Sequence, residues 1–189
     1  MIFSKTDKRK LIQLATCAVE NYILNGDYQV DVSSNYSKNL QKKCGVFVSA
    51  YVKDNLRGCI GTFEEDEPLY KTVQRMAIAA VSRDSRFERV NASELKQLKL
   101  EISILTPRKP IHDASEIEIG KHGIFISRGA NRGTFLPQVA VNQHWSAEEF
   151  LSNCSRYKAG IEWDGWKSAD KYVYEAIVIK SSDFKEFKD

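Results

Sequence analysis

A cysteine set among glycines is the feature of this sequence most suggestive of chemistry: Cys59 lies within Leu56-Arg57-Gly58-Cys59-Ile60-Gly61-Thr62. In an extended strand alternate side chains share a face, so Arg57, Cys59, Gly61 and Phe63 are expected on one side and Leu56, Gly58, Ile60 and Thr62 on the other. The thiolate is the nucleophilic form of cysteine, and an arginine beside a partly exposed thiol favours it. Glycines weaken a strand and mark bulges, or places where a second backbone or a ligand comes close. The same residues also describe a small cysteine packed in a core, where free cysteine is commonly found. The residues alone leave both readings open.

A thiol of ordinary acidity is mostly protonated at neutral pH, so a nucleophilic Cys59 needs a base. His122 is the candidate, in Gly120-Lys121-His122-Gly123, with Glu101 to orient the imidazole and Arg57 or Lys121 to stabilise anionic charge. Arg57, Gly58, Gly61, Thr62, Arg86 and Lys121 are then the candidate substrate-binding residues. The plainer reading makes Gly120 and Gly123 an ordinary turn at the head of a strand, with His122 capping it. In Asp84-Ser85-Arg86-Phe87 the arginine fork suits a phosphate or carboxylate, but a local Asp84–Arg86 salt bridge fixing a loop is favoured. Arg128 to Gly133 resembles a phosphate-friendly turn and equally a hairpin connection with solvated charges. His112 and His144 have no companion at ligand spacing. Trp145, Trp163 and Trp166 suit base stacking, and equally the edge of a core.

The elements that must position these residues follow from capping and periodicity. Ser4-Lys5-Thr6-Asp7 is a capping box before apolar residues at helical spacing from Leu11 to Ile23. Residues 25 to 43 are polar and predict a loop. Val46, Val48 and Ala50 alternate as in a strand, Asp54-Asn55 offers a turn, and Leu56 to Phe63 returns, predicting a hairpin. Pro68 suits the first turn of a helix whose buried stripe is Leu69, Val73, Met76, Ala77, Ala80 and Val81. A charged loop over 82–91, a short helix over 93–98 and a strand around Leu100, Ile102 and Ile104 come next. A strand at 123–127, a glycine-rich turn at 129–133, an extended piece at 135–141, a helix from Ser146 to about Arg156 and a strand at 172–179 complete the pattern. This order lacks regular βαβ alternation, so the expected class is α+β: a mainly antiparallel sheet with helices packed on it, with room for two unequal lobes. No linker or repeat marks a boundary, so one domain over 1–189 is expected.

Composition narrows the function classes. With 28 Lys and Arg against 25 Asp and Glu, the whole-molecule field does not call for nucleic acid as partner, so a basic patch must be local. Cys17, Cys44, Cys59 and Cys154 include no pair at the two-residue spacing of a zinc or redox site, so no metal and no cofactor is expected. The absence of a signal-peptide pattern, and a core sufficient without disulfides, point to reduced thiols and a cytoplasmic location. No apolar run reaches the roughly 18 to 20 residues that span a bilayer, so no membrane association is expected.

Leu56-Arg57-Gly58-Cys59-Ile60-Gly61-Thr62-Phe63 resembles the signature of the AMMECR domain family, known in prokaryotes as AmmeMemoRadiSam system protein A. Further blocks resemble the family in order: Ala79-Ala80 with Asp84-Ser85-Arg86-Phe87, Glu101 to Pro107, Ile119 to Ile124, Leu136 to Ala140, and Trp145 with Phe150-Leu151. The similarity covers roughly residues 10 to 180; the surroundings of Lys158-Ala159-Gly160 and the charged tail are less typical. The resemblance implies a two-lobed α/β arrangement, grouped with folds that bind nucleic acids, nucleotides or peptides. It implies two partners, a Memo-type protein and a radical S-adenosylmethionine enzyme, and a role in modifying RNA bases or another biomolecule. Two functions are therefore carried forward: Cys-dependent modification of RNA, a nucleotide or a peptide, and a noncatalytic binding or adaptor module in which Cys59 is structural.

Overall fold

The structure, a computed structural model, describes residues 2–32 and 35–184. Residues 33 and 34 of the expected loop and 185–189 of the charged tail lie outside the described residues. The described residues fall into two compact units, one running to Leu105 and resuming at Ile177, the other Thr106–Ala176.

The first unit begins with α1 (Lys5–Asn25). Its N-terminus is closed by the expected capping box, Ser4 Oγ accepting the Asp7 N–H at 3.0 Å and Asp7 Oδ2 accepting the Ser4 N–H at 3.1 Å. Gly26 ends the helix at φ 70°, a left-handed conformation that glycine adopts without strain. Strands β1 (Val46–Val52) and β2 (Asn55–Thr62) form the expected hairpin. Its two turn residues are Lys53 and Asp54, both at positive φ, which matches the right-handed twist of the paired strands. α2 (Leu69–Ser82) follows Pro68, a 3-10 turn occupies Ala92–Gln97, and β3 (Leu98–Leu105) pairs antiparallel with β1. The order is β2-β1-β3, with β7 (Asp170–Lys180) next to β3.

The two faces of this sheet differ in chemistry. Val46, Val48 and Ala50 on β1 and Leu100, Ile102 and Ile104 on β3 are buried in one core with Leu11, Ala15 and Val19 of α1 and Val73, Ala77 and Ala80 of α2. The β1 residues between them, Phe47, Ser49 and Tyr51, point to the other face, where Ser49 stands opposite Cys59 on β2 and opposite Glu101 on β3. One row across three strands is therefore Cys59, Ser49, Glu101.

The second unit contains β4 (Lys109–Ile111), β5 (His122–Arg128), β6 (Asn131–Phe135), α3 (Pro137–Gln143), α4 (Ala147–Cys154) and the first part of β7. β5 pairs antiparallel with both β6 and β7, and β4 pairs with β7. Its core joins Ile124, Ile126 and Val173 to Phe150, Leu151 and Trp166. The extended piece expected over 135–141 is instead the end of β6 followed by α3, because Pro137 occupies the first helical turn, where its fixed φ is suited and its missing N–H is not needed. The turn expected over 129–133 narrows to Gly129-Ala130, and Asn131 to Gly133 belong to β6. Ser146 caps α4 as expected, and the helix continues as a π turn, Ser155–Ala159, ending at Gly160 with φ 67°. The class is α+β with an antiparallel sheet and packed helices. Among the described residues no helix is long and apolar enough to cross a membrane.

Candidate functional site

Cys59 lies on β2 two residues past an irregularity in the hairpin. The ladder with β1 shifts between Ala50 and Tyr51, so that Gly58 faces Ala50, Leu56 faces Tyr51, and Arg57 is the extra residue. Arg57 is thereby taken out of register. Its guanidinium pairs with Glu94 and donates to the carbonyl of Glu88 at 3.2 Å, tying β2 to the loop before the 3-10 turn. Glu94 is held below the ordinary carboxylate range by the Asn91 backbone N–H and by Arg57.

Both glycines beside Cys59 are required by packing within the protein. A Cβ on Gly58 would stand 1.8 Å from the Ala80 carbonyl oxygen, so this glycine is where α2 comes down on the strand. A Cβ on Gly61 would stand 2.3 Å from the ring of Phe47, which lies across the glycine from the neighbouring strand. Thr62 ends the strand, its Oγ1 accepting the Glu64 N–H at 3.0 Å.

Asp84 and Arg86 hold the backbone of Cys59. Asp84 is 8% exposed; its Oδ2 accepts the Cys59 N–H at 2.9 Å, while Oδ1 accepts the Arg86 N–H at 3.2 Å and Nε–H at 2.9 Å. Arg86 Nη2 donates to Asp84 Oδ2 at 2.6 Å and to the Cys59 carbonyl at 3.4 Å. The favoured Asp84–Arg86 salt bridge is present. The guanidinium, and then the backbone donors, hold the Asp84 carboxyl down at about 2 against the cost of burial. Arg86 itself remains largely exposed, its guanidinium 5.3 Å over the ring of Phe87.

The thiol points to the mixed face. Ser49 Oγ is 3.2 Å from Cys59 Sγ. Burial pushes the thiol up from its ordinary value, and the charges of Asp84 and Glu101 add to this; the Ser49 hydrogen bond and the charge of Arg86 oppose it. The cation acting on the thiol is thus Arg86, while Arg57 spends its fork on Glu94. Glu101 is mostly covered and lies 3.5 Å from Lys180 Nζ. Burial, followed by the Glu101 charge, pushes the Tyr51 hydroxyl up.

His122 and Lys121 belong to the second unit. His122 Nδ1 accepts the Glu118 N–H at 3.1 Å, and Lys121 Nζ is 2.9 Å from Glu118 Oε2. A neutral imidazole accepting at Nδ1 carries its proton on Nε2 and presents a donor there. The basic turn is partly engaged as well, with Arg128 paired to Glu162. Among the described residues no group of three or more His, Cys, Asp or Glu is placed to hold a metal ion.

The structure brings together Cys59, Glu101 and Arg86 in the first unit, and Lys121 with His122 in the second. Ser49 and Tyr51 had not been singled out in the sequence. Their signal was available: in Val46-Phe47-Val48-Ser49-Ala50-Tyr51 every second residue is aliphatic, and the intervening ones are aromatic or hydroxylated.

The chain is similar to known proteins along most of its length. The family model described as AMMECR1 matches residues 12–179. A protein of Methanopyrus kandleri is 39% identical over 184 residues, covering 92% of this chain and 87% of its own length. One of Nanoarchaeum equitans is 34% identical, covering 90% of this chain and 98% of its own. The crystal structure of an uncharacterized protein from Pyrococcus horikoshii superposes with a TM-score of 0.81 at 32% identity, covering 89% of this chain and 88% of that one.

Proposed function

The chain belongs to the AMMECR1 family, and from that membership we propose that it is a noncatalytic binding or adaptor module of an AmmeMemoRadiSam-type system, acting in the cytoplasm on a peptide, nucleotide or RNA ligand. The observation carrying this reading is how the signature residues are used. Gly58 and Gly61 admit Ala80 and Phe47, Arg57 ties down Glu94, and Asp84 with Arg86 fixes the Cys59 backbone. A thiol pushed up by burial stays protonated at neutral pH and is a poor nucleophile. The four free cysteines suit a reducing compartment. The system context, with a Memo-type protein and a radical S-adenosylmethionine enzyme as partners, rests on the family signature.

One observation favours the second reading, Cys59-dependent modification of the same ligand classes. Ser49 and Arg86 both act on the thiol in the direction of the thiolate. The pH dependence of alkylation in a variant retaining only Cys59, with and without His122→Ala, separates the two. The binding reading expects half-maximal reactivity above that of a free thiol and no change in the His122 variant. A low apparent pKa that rises with His122→Ala would sink it. Native copurification with nucleic-acid and mass analysis tests for the ligand itself.

A further inference from the structure

β2 is the edge strand of its sheet, and its outer edge is closed at one place and open at the next. At Cys59 the outward N–H goes to Asp84 and the outward C=O to Arg86, so these two side chains fill the position of a neighbouring strand. Gly61 faces Phe47 two ladder positions on, with no bulge between, so its N–H and C=O point outward in the same sense. Among the described residues nothing takes them, and Gly61 is partly exposed. Beside this open position are the Phe47 ring and the Phe63 ring, packed edge-on at 5.3 Å. On the closed side is the exposed Arg86 guanidinium, whose Nη1 has no partner among the described residues.

We propose that this edge binds the carboxy-terminal end of an extended peptide chain, paired to Gly61 through two backbone hydrogen bonds, with its terminal carboxylate on Arg86 Nη1. The inference rests on the binding-module reading and names its ligand. Direction decides the end of the chain. β2 runs from Asn55 to Thr62, so an antiparallel guest advances from Gly61 toward Cys59 with its carboxyl end leading. Asp84 and Arg86 block the edge there, so the guest must stop, and a chain that stops in that direction presents a carboxylate to a guanidinium. A donor and an acceptor on one exposed residue are the complement of a peptide backbone, and the flanking rings give an apolar side chain somewhere to rest.

The test uses the full chain labelled with nitrogen-15, titrated with a pool of acetylated pentapeptides randomised at every position. One pool carries free carboxyl ends and the other amidated ends. The expected result is a selective shift of the Gly61 amide by the free-acid pool, with about tenfold weaker response to the amidated pool. Arg86→Gln should bring the free-acid response down to the amidated level; because the two pools are also compared on the unaltered chain, the outcome does not depend on that variant folding well. Equal response to the two pools, or an unmoved Gly61 amide, overturns the inference. A copurifying ligand that leaves Gly61 unmoved overturns the peptide-end inference while the binding-module reading stands. Absence of any copurifying ligand counts against the broader reading, and Gly61 still decides the docking.

Discussion

Asp84 Oδ2 accepts the backbone N–H of Cys59 at 2.9 Å across a sequence separation of 25 residues, joining the loop after α2 to the edge of β2. The bond is charge-assisted, and its acceptor is 8% exposed. Arg86 completes it by saturating the same carboxylate while donating to the Cys59 carbonyl. The two motifs that stood out in the sequence, around Cys59 and Asp84-Ser85-Arg86, are thus two halves of one joint.

Removing the carboxylate should loosen that joint. Asp84→Ala strips the Cys59 N–H of its partner and leaves Arg86 uncompensated, with an expected loss of about 2–3 kcal/mol in urea unfolding. Asp84→Asn keeps an acceptor and should lose less. An Asp84→Ala chain as stable as the parent would show that the joint contributes nothing.

The same carboxylate sets an acid limit. Its value in the folded protein is about 2 against an ordinary 3.8, so the folded state favours the charged form. The contribution is fully present above 3.8 and is lost as pH falls through about 2. The gap corresponds to about 2 kcal/mol. The stability advantage of the parent over Asp84→Asn should therefore shrink across that window and be flat above it, as read by unfolding at stepped pH.

How far the sequence carried is visible at particular residues. Ser4, Pro68 and Ser146 announced their helices, because capping is a local matter of a few neighbouring groups. The hairpin was legible from alternation, but the bulge was not: Arg57 falls out of register through a pairing between strands, which periodicity within one strand does not encode. Around Pro137 the apolar residues suit a strand as well as a helix, and only the proline, which fits the first helical turn, separates the two. The Ser49–Cys59 contact joins residues on two strands, so the Cys59 segment by itself carries only half of it.

Two glycines should respond to alanine for different reasons. At Gly58 the new Cβ meets backbone, the Ala80 oxygen at 1.8 Å, and relief requires moving α2 off the sheet. Gly58→Ala should cost at least about 3 kcal/mol, read as a lowered melting temperature. At Gly26 a Cβ meets nothing within 4 Å, and only the positive φ of 70° opposes it. Gly26→Ala should cost about 1 kcal/mol. Equal costs would mean that α2 can move off β2 with little loss.

The four thiols should separate by reactivity, and Ser49 should tune one of them. Cys17 is exposed and should be alkylated first. Burial pushes Cys44 up to about 11 and Cys154 up to about 12, so both should stay unmodified until the chain unfolds. Cys59 lies between these limits, half-buried but hydrogen-bonded to Ser49 at 3.2 Å. A hydroxyl donates more strongly to a thiolate than to a thiol, so the Ser49 contact favours the charged form. Ser49→Ala removes that donor while leaving burial, Asp84 and Glu101 to act unopposed except by Arg86. The apparent pKa of Cys59 should therefore move further up, and its alkylation at fixed neutral pH should slow relative to Cys17 in the same sample, followed site by site by mass spectrometry. Cys17 serves as the internal reference, because Ser49 is not among the groups acting on it. Faster alkylation of Cys59 in the Ser49 variant would mean that the hydroxyl shields the thiol sterically, and that its hydrogen bond does not set the charge.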